Sequence, residues 1–123
     1  MRVFKTKWFS KFARKGNIAD SLLKDAVREI EKGLNDGVLG GGLVKKRLAR
    51  EGEGKRGGYR TILVYSANKR SIFVYGFPKN VRANLNAIEL DAYKKLAEIY
   101  LGFNDADFGK ALEAGEVEEV DYD

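Results

Sequence analysis

Seven basic residues fall within sixteen positions of this chain: Lys45, Lys46, Arg47, Arg50, Lys55, Arg56 and Arg60, with Glu51 and Glu53 the only acids among them. Cations at this density, on a loop and its flanking strands, make a surface suited to phosphate. The residue types also define the available chemistry. Arginine stays charged, and its planar fork clamps phosphate oxygens. Closely packed cations lower one another's proton affinity, which lets a lysine serve as base or acid. RNA carries its own nucleophile, the ribose 2′-hydroxyl beside the scissile phosphate. A catalyst must align that hydroxyl, remove its proton, compensate the phosphorane charge and protonate the leaving 5′-oxygen. A basic cleft without histidine is sufficient for that task.

Such sufficiency matters because the chain has neither His nor Cys. There is no disulfide framework and no zinc–thiolate site. Transition-metal sites are disfavoured without imidazole or thiolate, and the usual neutral-pH acid/base residue is missing. A Mg²⁺ site built only from carboxylates stays open, although the acids fall mostly on helices or in the C-terminal segment. The formal net charge of +5 is unevenly divided: residues 1–100 hold 22 Lys/Arg against 10 Asp/Glu, and residues 101–123 hold one Lys against eight acids. A basic body suits a polyanionic partner. The acidic end is either a solvated tail or a flap over the basic surface.

The elements that must position these residues follow from periodicity. With 123 residues, 44% of them hydrophobic, the chain is expected to form one domain with a modest core. No apolar run is long enough for a bilayer, and the start does not read as a signal peptide, so a cytoplasmic protein is expected. Arg2 to Thr6 predicts a strand. Trp8, Phe9, Phe12 and Ala13 recur at helical spacing with Lys11, Arg14 and Lys15 interleaved, and a second helix is predicted from about Asp20 to Leu34, capped by Asp20 or Ser21. Residues 35–42 read as a loop ending in Gly40-Gly41-Gly42. No lysine-serine pair follows to make it a nucleotide loop.

Strands are predicted over 43–49, 59–65 and 71–77, with a flexible basic loop between the first two and Pro78 ending the last. On the middle strand, alternation puts Arg60 with Ile62 and Val64, and Tyr59 with Thr61, Leu63 and Tyr65. Spacing alone equally allows Arg60 a structural role, paired with a helix carboxylate. A helix is predicted over 87–101, capped by Asn84 or Asn86, then a weaker one over 105–114 and an extended or disordered end. The fold class is α+β, with an N-terminal helical hairpin packed on an antiparallel sheet and a C-terminal helix. Residues 1–101 form the expected domain, and the acidic 102–123 segment is either part of it or partly disordered.

The stretch Gly54-Lys55-Arg56-Gly57-Gly58-Tyr59-Arg60, running into Thr61-Ile62-Leu63-Val64-Tyr65, resembles the HigB-like branch of the RelE/ParE toxin superfamily. So do Ile72-Phe73-Val74-Tyr75-Gly76-Phe77-Pro78-Lys79-Asn80, Asn84-Leu85 and Glu89-Leu90. The resemblance covers roughly residues 2–101. It implies a cofactor-free, metal-independent mRNA interferase, in many members ribosome-associated, with a cognate antitoxin that is commonly a helix-turn-helix protein. The arginine of the Gly-Tyr-Arg strand motif falls on Arg60, and Lys79 and Lys46 join it as implied catalytic residues. Lys45 and Arg47 fall on the family's basic strand positions; together with Lys55 and Arg56 of the basic cluster, Tyr59 as a ring able to stack on a base, and Arg82, they are the expected RNA-binding residues. The catalytic tyrosine that RelE itself carries near its C-terminal end has no secure match here, since Tyr93 and Tyr100 sit at core spacing. A non-catalytic RNA- or ribosome-binding protein and a ParE-like gyrase inhibitor are the alternatives.

Overall fold

The computed structural model describes residues 1–50 and 54–120, and the side chains of Arg50 and of residues 54–57 lie outside that description. Two apolar runs organise the fold, Ile62-Leu63-Val64 and Ile72-Phe73-Val74, all six residues buried. Strands without polar alternation need helices on both faces of their sheet, and that is what forms. The strands are β1 (Arg2–Thr6), β2 (Gly37–Gly40), β3 (Leu43–Arg50), β4 (Gly54–Ser66), β5 (Arg70–Pro78) and β6 (Val117–Glu119), in the order β2-β3-β4-β5-β1-β6. The sheet is mixed: β1 lies parallel to β5, and the other pairings are antiparallel.

Helices α1 (Lys7–Lys15) and α2 (Asp20–Glu31) cover one face. There Phe9, Ala13, Leu23, Val27 and Ile30 pack with Val44, Leu48, Tyr59, Leu63 and Phe73. Helices α3 (Ala87–Leu101) and α4 (Asp105–Glu113) cover the other, where Ala97, Phe108 and Ala111 meet Phe4, Leu43, Ile62, Val64, Ile72 and Val74. Phe4 and Phe108 stack at 4.5 Å. Full burial of a phenylalanine stabilises by about 1.5–3 kcal/mol, so Phe108 anchors the C-terminal segment firmly. Residues 102–120 are therefore part of the sheet and core: β6 pairs with β1, and Val117 and Val120 are buried.

Several expectations need correction. The 35–42 loop contains β2, whose hairpin to β3 turns through Gly40, Gly41 and Gly42 at φ of 88°, 62° and 86°, the left-handed region that glycine enters without a Cβ penalty. β4 starts at Gly54, inside the expected basic loop. Helix α2 stops at Glu31, and Leu34 is exposed. It starts at the N-cap Ala19 with no side-chain cap, whereas α3 has a full capping box between Asn86 and Glu89. Among the described residues no helix is long and apolar enough to cross a membrane, and no cluster of acids could hold a metal ion.

Candidate functional site

The register of β3, β4 and β5 gathers the site. Arg47 faces Arg60, which faces Phe77, and one step along the strands Lys45 faces Ile62, which faces Tyr75. All six share the α3 side of the sheet, because partners across a ladder point the same way. Two arginines directly opposite each other repel, costing roughly 0.2–1 kcal/mol. Arg47 is compensated. Its Nε donates to Asp36 Oδ1 at 3.1 Å and its backbone N–H to Asp36 Oδ2 at 2.7 Å. Burial pushes the Asp36 carboxyl up, but the Arg47 N–H and the charges of Lys46 and Arg47 outweigh it and hold the group below the usual carboxylate range.

Arg60 has no such relief. It is partly exposed, yet its Nη1 is buried without a hydrogen-bond partner among the described residues. A guanidinium cannot shed its charge, so this donor carries a desolvation cost that no described group offsets. Beside it, Lys45 Nζ donates to Asn84 Oδ1 at 2.9 Å. Arg82 reaches over the sheet from the segment after β5. It donates to both carboxylate oxygens of Glu89 (2.7 and 2.6 Å) and to the Tyr75 hydroxyl (2.9 Å). Its guanidinium stands 5.4 Å from the Tyr75 ring and 5.0 Å from that of Phe77. The hydrogen bonds from Arg82 lower the Glu89 pKa, and Glu89 in turn raises that of Arg82. Arg82 is thus charged and fixed over Tyr75 and Phe77.

Tyr93 stacks on Tyr75 at 5.1 Å. Burial, with Tyr75 and Glu89 nearby, pushes its phenol up to about 12. It stays neutral near pH 7 and can donate a hydrogen bond there, but it is no base. Lys79 follows β5 directly, two residues past Phe77, and its backbone N–H donates to Gly58 O at 3.1 Å.

Arg60, Lys45 and Arg47 share one face of the sheet, Arg82 lies over Tyr75 and Phe77, and Lys79 follows at the end of β5 beside Gly58. Lys46 and Tyr59 are on the opposite face. Lys46 is buried: Nζ donates to Leu34 O at 2.7 Å and pairs with Glu29 at 3.2 Å. It ties β3 to the end of α2. Tyr59 is core, its ring edge-on to Phe12 and its hydroxyl 3.5 Å from Gly16 O. The side chains of Lys55 and Arg56 lie outside the described residues. Asp36, Tyr75, Asn84 and Glu89 are the partners of these cations, and apart from Glu89 no local spacing pairs them with one. Glu89 does leave a signal, since Asn86-x-x-Glu89 fixes a capping carboxylate within reach of whatever basic residue precedes the helix.

A comparison with known families matches residues 1–120 to RelE, described as the RelE toxin of the RelE/RelB toxin-antitoxin system. The match runs past the 2–101 span of the sequence resemblance and takes in α4 and β6. No curated protein matches the chain significantly.

Proposed function

The chain belongs to the RelE toxin family, and on that premise we propose that it is an mRNA interferase whose scissile phosphate binds at Arg60. The observation that carries this reading is the buried, unpartnered Nη1 of Arg60 within a row of cations. A buried polar group without a partner costs about 1–3 kcal/mol, and a phosphate oxygen supplies the missing acceptor. Lys45 and Arg47 hold flanking phosphates, and Arg82 adds a fixed charge on the far side. The 2′-hydroxyl passes its proton to a water molecule as its oxygen attacks phosphorus and the bond to the 5′-oxygen breaks, giving a 2′,3′-cyclic phosphate. Charge on the phosphorane falls on the Arg60 fork. Lys79, at the end of β5, protonates the leaving 5′-oxygen. Lys46 is left out of this set because its ammonium is already engaged by Leu34 and Glu29 across the sheet.

The partner in this reading is a cognate antitoxin, a helix-turn-helix protein encoded next to the toxin, which covers the basic face and blocks access to the ribosome. Primer extension on a translated message, with wild type and Arg60→Ala, tests the cleavage. Cuts by wild type that disappear in a folded Arg60→Ala protein are expected. Full cleavage by that variant overturns the assignment. Absence of cleavage by wild type favours a non-catalytic binding role.

A further inference from the structure

The cations of the Arg60 cleft do not end at the sheet. Helix α1 presents Lys7, Lys11, Arg14 and Lys15, all exposed, and contains no acid. None of the four has an ion pair among the described residues. Between them stands Trp8, 47% exposed although it has the largest ring in the chain. Trp8 stacks on Phe12 (5.4 Å, 14° between planes) and packs at a tilt against Tyr75 (4.7 Å, 36°). Phe12 is seated on Gly76, where a Cβ would come within 2.5 Å of its ring. The platform is therefore backed by the sheet. Trp8, Lys11, Phe12 and Lys15 line a shallow groove of about 250 Å³. Through Tyr75, Arg82 and Phe77 the packing runs unbroken from Trp8 to the Arg60 row.

We propose that α1 is a second binding track for single-stranded RNA, in which a nucleobase stacks at Trp8 and the adjoining phosphates lie on Lys11 and Lys15. The proposal rests on the RNA reading of the Arg60 cleft and extends it. An aromatic surface bordered by unpaired cations is what sequence-tolerant binding of single strands uses. A protein helix docking here would need an apolar rim, and Trp8 is the only exposed large apolar residue on α1.

Trp8 is the only tryptophan, so its emission reports on the platform directly. The probe is a short 2′-O-methyl RNA, which lacks the nucleophile and cannot be cut. Saturable quenching of Trp8 emission is expected. Trp8→Ala should weaken binding of the labelled RNA by roughly tenfold, with an unchanged circular dichroism spectrum. Lys11→Gln/Lys15→Gln, at exposed positions that do not threaten the fold, should flatten the salt dependence by about 1.4 in log–log slope, roughly 0.7 for each phosphate no longer neutralised. RNA binding that leaves Trp8 emission and the lysine variant unchanged overturns the platform while cleavage stands. So does failure of the free protein to bind RNA while it still cuts a translated message. Loss of both binding and cleavage removes the RNA reading itself. Quenching by the neighbouring gene's product, but not by RNA, overturns the proposal in favour of a protein docking face.

Discussion

Replacing Arg60 by Met separates a functional arginine from a structural one, because the two predict opposite changes in stability. Methionine keeps an unbranched stem and removes only the charged fork. In the folded protein that fork makes no hydrogen bond through Nη1 among the described residues and faces Arg47 across the ladder. Removing an unsatisfied buried donor relieves about 1–3 kcal/mol, and removing the like-charge pair relieves up to about 1 kcal/mol. Partial exposure of the residue and imperfect packing of the thioether reduce both gains. The expected net is a stabilisation of about 0–2 kcal/mol, seen as a melting temperature unchanged or raised by several degrees, at roughly 4 °C per kcal/mol for a domain of this size. Catalysis should move the other way. Deleting one preorganised donor to a developing oxyanion typically costs about 10²–10³ in rate, so primer-extension signal on a translated message should drop by about two orders of magnitude or more. Thermal melts and cleavage time courses on the same preparations make the comparison. A melting temperature lowered by more than about 4 °C would show that the fork holds the fold together, and unchanged cleavage would show that it does not touch the phosphate.

Neutralising Lys45 and Arg47 together as glutamines should weaken RNA or ribosome association and reduce the log–log salt slope by about 1.4, since two phosphates are no longer neutralised; an unchanged slope would place the phosphates elsewhere. Lys46→Met should cost about 1–3 kcal/mol of stability, because the Leu34 carbonyl and the Glu29 carboxylate are deprived of their buried donor, while cleavage per folded molecule stays as in wild type. A Lys46→Met protein that is fully stable but inactive would return this residue to the catalytic set. Tyr93, its phenol raised from 10.0 to about 12, favours the folded state in its neutral form. That stability is fully present below pH 10 and is lost as pH rises from 10 through about 12. Urea melts of wild type and Tyr93→Phe across that window should therefore diverge, with wild type falling more steeply. Parallel decline of the two proteins would mean that Tyr93 ionises freely in the fold.

The α3 helix and the two central strands are legible in the chain because their signals are local. Leu90, Tyr93, Leu96, Ala97 and Tyr100 repeat at helical spacing, Asn86 and Glu89 close a capping box, and the runs at 62–64 and 72–74 suit strands buried on both faces. Arg60, Lys45 and Arg47 stand out in the chain as candidate phosphate binders because they fall in its densest run of cations. Lys46 is separable in principle: alternation along β3 turns it away from both neighbours, but only the tertiary structure supplies Leu34 and Glu29 to receive it. Tyr59 likewise follows its strand parity into the core beneath α1. What no local pattern encodes is the choice of partners. Gly37–Gly40 becomes a strand only by pairing with β3, since its glycines carry no strand preference of their own. The placement of β1 beside β5 in parallel register, with β6 closing the edge, depends on long-range pairing and on Phe108 stacking against Phe4. The same long-range packing brings Trp8 against Tyr75, and Arg82 between Tyr75 and Glu89. Residue types and spacing determined which groups were available for phosphate chemistry. Which of them converge was decided by the register of β3, β4 and β5 and by the helices packed on each face, because a side chain's direction is set by its strand and its neighbours by the fold.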